Sequence, residues 1–164
     1  MRLKLAVGVV ITLALTVLVR TELVDTASVS SDSMAPTVCT GDTVLLARVH
    51  DTSSVGVGDI VTFASPEDGA STIKRIVAVA GQRVAIEDAL LVVDGQVVDE
   101  PYVDHASIDG VYFGPVTVPL GEVFVMGDRR EISIDSRAYG AIPRSRIDGR
   151  LLRDLHSRCE HPSR

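Results

Sequence analysis

The apolar residues of this chain occur in short runs, and this pattern constrains the fold more than any other feature. After residue 41 the runs are rich in valine and are separated by Gly, Asp and Pro. Apolar residues make up 46% of the chain but aromatic residues only 4%. Short valine-rich runs between turn residues are typical of strands. We therefore expect a mainly β domain, with its antiparallel strands in a barrel or in packed sheets.

The strands are assigned to the apolar runs, and the connections to the turn residues between them. The predicted strands are Asp42–Val49, Gly58–Ala64, Thr72–Ala80, Leu90–Val93, Gln96–Val98, Val116–Pro119 and Glu122–Met126. Asp94-Gly95 is a strong signal for a two-residue hairpin turn. Residues 83–122 are expected to form an insertion that contains this hairpin. Gly140–Pro143 resembles a turn, and Arg146–Leu155 fits a final strand or a short helix.

An uncharged apolar segment, Leu5–Val19, lies near the N-terminus between Lys4 and Arg20. As a helix it spans about 22 Å, less than the ~30 Å hydrocarbon core of a bilayer. The two flanking cations extend the reach of the helix by snorkelling. A cleaved signal peptide also suits this length, but residues 21–28 offer no clean Ala-x-Ala site. We therefore expect an uncleaved transmembrane helix.

The charges around this segment predict its orientation in the membrane. Arg2 and Lys4 precede it, and an excess of cations marks the cytoplasmic side. Residues 1–20 are thus expected to be a short cytoplasmic N-terminus and a single-pass anchor in the cell membrane. Residues 21–164 then form one domain on the outer side.

Composition excludes some partners. The net charge is −6 without a basic cluster, so nucleic acid is not expected as a partner. Cys39 and Cys159 form no CxxC pair, and neither they nor the four scattered histidines indicate a metal site. No cofactor is expected. The two cysteines form a disulfide or remain two thiols, and nothing in the sequence indicates an oligomeric state.

Lysine is almost absent, which singles out Lys74. Of sixteen basic residues only Lys4 and Lys74 are lysines. Arginine cannot give up its proton in a protein, whereas a buried lysine can. On a strand Lys74 and Arg75 point to opposite faces, so one of them must lie toward the core. The alternatives are a buried Lys74 or an inward Arg75 paired with a carboxylate.

Two further polar clusters contain residues that can take part in catalysis. Ser31-Asp32-Ser33-Met34 lies a dozen residues after the apolar segment, and residues 127–137 are dense in Asp, Ser and Arg. Taken separately, each cluster is also what a solvated surface loop contains. The two clusters become specific only together with the lysine strand between them.

In this order the three clusters resemble the signature motifs of bacterial type I signal peptidases, which are Ser/Lys serine proteases. The stretches Gly41-Asp42, Glu100-Pro101-Tyr102 and Val123–Asp128, together with Gly140, extend the resemblance over nearly the whole domain. It implies a mainly β protease domain that needs no metal or cofactor. The family pattern differs at Asp32, Arg129, Glu131 and Ile132, none of which is a catalytic group.

The resemblance also implies a role for each matching residue. Ser33 is the nucleophile and Lys74 the general base. Ser31 helps to form the oxyanion hole, Ser133 orients the lysine ammonium, and Met34 contributes to substrate binding. Asp128, Asp135 and Arg137 give structural support. Lysine acts as a base only when neutral, and burial lowers its pKa toward that state.

The expected function is that of a membrane-bound endopeptidase that removes signal peptides. Its partners are then the lipid bilayer and preproteins with small residues at −1 and −3, bound as a strand at a sheet edge. Two alternatives remain. One is a processing peptidase dedicated to a single pilin or conjugation substrate, and the other a catalytically dead, membrane-tethered binding domain. A self-cleaving repressor-type protease shares the chemistry, but the apolar N-terminus argues against it.

Overall fold

The computed structural model describes Gly8, residues 23–105, residues 112–156 and Cys159. Apart from Gly8, the predicted anchor Leu5–Val19 lies outside the described residues. In the described part of the chain, no helix has the length and apolar character needed to cross a bilayer.

Short strands dominate the described residues, as the valine-rich runs predict. They are β1 (Val24–Ser28), β2 (Thr43–Arg48), β3 (Ile60–Ala64), β4 (Ser71–Val79), β5 (Arg83–Glu87), β6 (Leu90–Val93), β7 (Gln96–Val97), β8 (Phe113–Thr117), β9 (Glu122–Met126), β10 (Ile142–Pro143) and β11 (Ile147–His156). The helices whose bounds lie within the described residues are single turns: two 3₁₀ turns at Thr52–Ser54 and Arg144–Arg146, and an α-helical turn at Ser136–Tyr139. The prediction of a mainly β fold is confirmed.

The strands form two antiparallel sheets. The larger one has seven strands in the order β1-β2-β11-β3-β4-β9-β10. The smaller one has four, in the order β7-β6-β5-β8, and lies within residues 83–117. Asp94 and Gly95 connect β6 and β7 as the predicted hairpin turn, and both have positive φ.

Three buried apolar clusters stabilise the described part of the fold. One joins the sheets through residues such as Val84 of β5 and Phe124 of β9. A second lies on one face of the large sheet and includes Val61 and Ile76. The third packs the loop after β1 against that sheet, with Met34 fully buried at its centre. This last cluster fixes the loop that contains Ser33.

The structure corrects several predicted elements. The strand predicted at Val116–Pro119 instead spans Phe113–Thr117, because Gly114 continues the strand where Gly-Pro suggests a turn. A Cβ at Gly114 would lie 2.7 Å from the Val84 carbonyl oxygen, so this close approach of β8 to β5 requires glycine. The positive φ of 78° at this position also favours glycine. Within the predicted turn, Ile142–Pro143 pairs with β9 as β10.

The structure also decides what the sequence left open. The final segment is a strand, β11, rather than a helix. Cys39 and Cys159 form a disulfide with a Cα–Cα distance of 5.4 Å. This bond ties the loop after Ser33 to the end of the described chain. Strands β1 and β5 were not predicted; β1 is a half-exposed edge strand without an apolar run.

Candidate active site

Ser33 lies in the loop between β1 and β2 and is only 7% exposed. The loop forms a tight turn in which the Ala35 N–H donates to the Asp32 carbonyl oxygen at 3.0 Å. The Asp32 carboxylate accepts the Thr40 N–H at 2.8 Å and so closes the loop across residues 32–40. Asp32, which differs from the family pattern, thus has a structural role beside Ser33.

Lys74 lies on β4 with its Nζ 2.8 Å from Ser33 Oγ. Its neighbour across the sheet is the fully buried Val61, and Lys74 itself is only 3% exposed. Burial lowers the pKa of Lys74, although the negative charges of Asp135 and Asp128 act in the opposite direction. The base that the resemblance assigns is therefore in contact with the assigned nucleophile, in surroundings that favour the neutral amine.

Arg75 points to the other face and pairs with a carboxylate, so both cations of this strand are placed inward. Its Nε and Nη2 donate to the two carboxylate oxygens of Asp128 at 2.8 and 2.6 Å. Asp128 also accepts the Thr37 hydroxyl at 2.5 Å. Thr37 belongs to the loop between β1 and β2 that contains Ser33 (the Ser33 loop), and Arg75 follows Lys74 on β4. The buried Asp128 carboxylate therefore connects the two elements that hold the Ser33–Lys74 dyad.

Sheet register brings the third cluster to the same place. Arg75 pairs with Met126, the last residue of β9, so the chain enters the cluster at Gly127 directly beside Lys74. The Arg129 N–H donates to the Ser33 carbonyl oxygen at 3.1 Å. The Arg129 side chain instead pairs with Glu131 at the surface. The departure from the family pattern at Arg129 therefore leaves the backbone contact with Ser33 intact.

Gly127 is required by close packing. A Cβ at this position would lie 2.5 Å from the Ser33 carbonyl oxygen and would also clash with the Ser133 side chain. The glycine therefore lets the Ser33 loop approach the loop at residues 127–135 that contains Ser133 (the Ser133 loop).

The Ser133 loop is held by Asp135 and Arg137. Asp135 is fully buried and accepts the Arg137 guanidinium at 2.8 and 2.9 Å, as well as the Gly127 N–H at 3.0 Å. Arg137 also donates to the Ser133 carbonyl oxygen at 3.2 Å. The Ser133 hydroxyl is buried and has no hydrogen-bond partner among the described residues, Lys74 included.

A further ion pair, between Arg130 and Glu100, is buried and supports the turn that begins at Gly127. Arg130 Nη2 donates to Glu100 Oε1 at 2.6 Å, and its Nε donates to the Gly127 carbonyl oxygen at 3.0 Å. The Tyr102 hydroxyl donates a hydrogen bond to Glu100. The Arg75 guanidinium stacks on the Tyr102 ring, with its central carbon 3.9 Å from the ring centroid. Burial, together with the Glu100 charge, raises the pKa of Tyr102 to about 12.

The dyad opens into a cleft of about 330 Å³. The lining residues are Ser31, Ser33, Ser65, Glu67, Asp68, Ala70, Ser71, Thr72, Lys74, Ile132, Ile134 and Tyr139. The Ser31 hydroxyl lies 3.2 Å from Ser33 Oγ. A smaller pocket of about 70 Å³ shares Ser31, Ser71 and Thr72 with the cleft.

The small pocket has an apolar wall formed by Ala27, Val29, Val44 and Ile73. Met34, assigned above to substrate binding, is fully buried in the cluster that contains Val29, Val44 and Ile73. It therefore packs behind this wall and does not line either opening.

The sequence as a whole matches that of a known enzyme family. A sequence model of the family described as "Signal peptidase, peptidase S26" matches residues 2–153. The chain belongs to this family. It is 36% identical to the probable signal peptidase I-1 of Synechocystis sp. (strain ATCC 27184 / PCC 6803 / Kazusa) over 87% of this chain and 76% of that protein. It is 34% identical to signal peptidase I of Bacillus licheniformis over 87% of this chain and 82% of that one.

A solved structure agrees with this S26 assignment. The crystal structure of a signal peptidase I from Enterococcus faecalis V583 superposes with a TM-score of 0.54 at 28% identity, over 60% of this chain and 97% of that chain. Its fold thus supports the mainly antiparallel β architecture described here.

Sequence reasoning missed several residues around the dyad. Thr37, Arg130 and the need for glycine at 127 were not assigned a role. Glu100-Pro101-Tyr102 contributed to the resemblance, but without a function. The sequence did contain a signal for the pairing of Arg130 with Glu100, because the two residues carry opposite charges and lie in stretches that resemble the family. For Thr37 the sequence contained no such signal.

Proposed function

We propose that this S26 family member is a signal peptidase I, a serine endopeptidase that removes signal peptides from exported preproteins. The observation that carries the proposal is the 2.8 Å contact between Lys74 Nζ and Ser33 Oγ, in which both residues are buried. The relatives named signal peptidase I, which match most of the chain, give the substrate class.

In the proposed mechanism neutral Lys74 takes the proton of the Ser33 hydroxyl as its oxygen attacks the −1 carbonyl carbon. The Lys74 ammonium then gives that proton to the leaving amine of residue +1 as the C–N bond breaks. Water hydrolyses the Ser33 ester, with Lys74 again acting as the base. Arginine in place of Lys74 would be unable to accept the proton.

Two hydroxyls assist this chemistry in the proposal. Ser31, beside Ser33 Oγ, donates together with the Ser33 N–H to the oxyanion, and loss of one such donor costs about 3–4 kcal/mol in the barrier. Ser133 orients Lys74. Its buried hydroxyl, which lacks a partner among the described residues, is available for this contact once the ammonium forms. Asp128, Asp135 and Arg137 position these groups through the contacts described above.

The substrate is proposed to bind as an added strand. Among the described residues, Ser71–Lys74 pair with β3 on one side, whereas pairing with β9 begins only at Arg75. The other backbone edge of Ser71–Lys74 is therefore available to an extended peptide. The small pocket next to this edge has one apolar wall, supported by Met34, and its small volume suits the short side chains at −1 and −3.

Residues 1–20 are proposed to anchor the enzyme in the cell membrane, with the N-terminus cytoplasmic and the peptidase domain, residues 21–164, outside. The apolar run Leu5–Val19 and the cations before it support this topology. The Cys39–Cys159 disulfide supports it too, because such bonds persist in oxidising compartments. The small sheet fits an insertion at residues 83–122.

The relatives do not favour a dedicated pilin peptidase or a dead binding domain, and one assay separates these alternatives. We would incubate a preprotein with an Ala-x-Ala site with wild type, Ser33→Ala and Lys74→Arg in detergent. We expect cleavage by wild type alone. Equal cleavage by Lys74→Arg would show that Lys74 is not the base. If wild type fails to cleave, reaction of Ser33 with an acylating inhibitor would indicate a dedicated peptidase, and no reaction a dead domain.

A further inference from the structure

Two large apolar side chains stand exposed in the catalytic cleft. Ile132 is 52% and Ile134 60% exposed, and both line the cleft that contains Ser33 and Lys74. Single exposed aliphatic residues are common on protein surfaces. Two of them in the lining of the cleft that contains Ser33 and Lys74 form an apolar wall that a ligand bound in the cleft would cover.

The loop that carries these isoleucines is fixed. The residues that alternate with them point inward: Ser133 buries its hydroxyl and Asp135 is fully buried. Arg137 donates to the Ser133 carbonyl oxygen, which lies between the two isoleucines in the chain. The apolar wall is therefore held in place before a substrate binds, which reduces the entropic cost of using it for recognition.

The position of Lys74 indicates which substrate residue meets this wall. In an extended peptide the side chains at −1 and −3 point one way, and those at −2 and +1 point the other way. If −1 and −3 occupy the small pocket beside Ile73, then −2 and +1 face the side of Lys74. Lys74 must also reach the nitrogen of residue +1 to protonate the leaving amine.

We propose that Ile132 and Ile134 form an apolar subsite for the side chain at +1, the first residue of the mature protein. The preferred preproteins carry an aliphatic residue there. Glu67 and Asp68, which line the same cleft, disfavour an acidic residue at +1. This inference rests on the proposed signal peptidase activity and deepens it.

The test uses peptides with one Ala-x-Ala site that differ only at +1, which is Leu, Ser or Asp. For wild type we expect kcat/KM to be about tenfold higher with Leu than with Ser, the range that one apolar contact supplies. Asp at +1 should be the poorest. A second series varies −2 in the same way, and there the ratio between Leu and Ser should stay within about twofold.

The variant Ile132→Ser/Ile134→Ser should reduce the Leu-to-Ser ratio at +1 to about one. The matched control is Leu120→Ser, since Leu120 is 91% exposed and does not line the cleft, and it should keep the wild-type ratio. Thermal unfolding and the stoichiometry of Ser33 acylation show whether the double variant is folded.

Each other outcome contradicts a defined step. Equal rates for all +1 residues, or a preference that survives in the double variant, would overturn the subsite. A preference at −2 that the double variant removes would reassign the wall to −2 and also overturn it. Cleavage of no peptide by wild type would instead overturn the proposed function, and the subsite with it. If the double variant is unfolded, Ile132→Ala and Ile134→Ala replace it, and each should lower the ratio.

Discussion

Lys74 Nζ and Ser33 Oγ lie 2.8 Å apart across 41 residues of sequence, and the buried carboxylate of Asp128 connects the elements on which they lie. In the proposed mechanism this contact activates the serine, and the burial that accompanies it desolvates the lysine. The consequences can be measured on catalysis and on stability.

Activity should rise with pH through the lowered pKa of Lys74. Burial favours the neutral amine, so kcat/KM should reach half of its maximum below pH 10.5, the ordinary value for lysine. A pH–rate profile with a peptide substrate measures this midpoint. A midpoint at or above the ordinary lysine value would contradict the assignment. Lys74→Arg should show no corresponding rise.

Stability should also depend on the protonation of Lys74. Between its folded pKa and the ordinary 10.5, the unfolded chain binds the proton and the native protein does not, so stability rises with pH in this window. Each unit by which the pKa is lowered corresponds to about 1.4 kcal/mol. Lys74→Met should abolish this slope and unfold at a higher denaturant concentration near neutral pH. Parallel slopes for wild type and Lys74→Met in urea titrations would exclude this linkage.

Gly127→Ala should impair both folding and catalysis. Its methyl group would clash with Ser133 and approach the Ser33 carbonyl oxygen, at a cost of about 1–3 kcal/mol. We expect a lower Tm and a kcat reduced more than tenfold. The control is Gly56→Ala, because no atom lies within 4 Å of a Cβ there. Wild-type kcat in Gly127→Ala would show that the two loops do not need this close contact.

The buried pair Glu100–Arg130 should matter far more than the exposed pair Glu131–Arg129. Glu100→Ala leaves Arg130 as an unpaired buried charge and should cost about 3–5 kcal/mol of unfolding free energy. Glu131→Ala removes a solvent-screened pair and should leave the free energy of unfolding almost unchanged. Chemical denaturation of both variants gives the comparison. Similar losses of unfolding free energy in Glu100→Ala and Glu131→Ala would mean that burial does not decide how much each ion pair contributes.

Loss of the disulfide should destabilise the domain. Cys39 and Cys159 are 120 residues apart, so the bond restricts the unfolded chain strongly, and Cys39→Ser/Cys159→Ser should cost about 2–5 kcal/mol. Reductant should lower the Tm of wild type to that of the double variant. It should leave the Tm of the double variant itself unchanged. A wild-type Tm that does not respond once thiol titration shows complete reduction would argue against this role.

Much of this protein can be read from the sequence because the signals are local. Short valine-rich runs predict strands, Asp94-Gly95 predicts its hairpin, and three polar clusters in order indicate the family. The errors have local causes too. Gly114-Pro115 resembles a turn but continues β8, and β1 has no apolar run because it is a half-exposed edge strand.

Tertiary structure alone decided which charged residues distant in the sequence are paired. From the sequence, either Lys74 or Arg75 was expected to turn inward, yet both do, because Asp128 compensates Arg75 while Lys74 packs beside Val61. The close contact at Gly127 and the pair Glu100–Arg130 likewise join segments far apart in the chain. The sequence determined which residue types were available, since periodicity and turn chemistry act between neighbours. Only packing determined which of these residues are in contact, because burial and charge compensation act between distant segments.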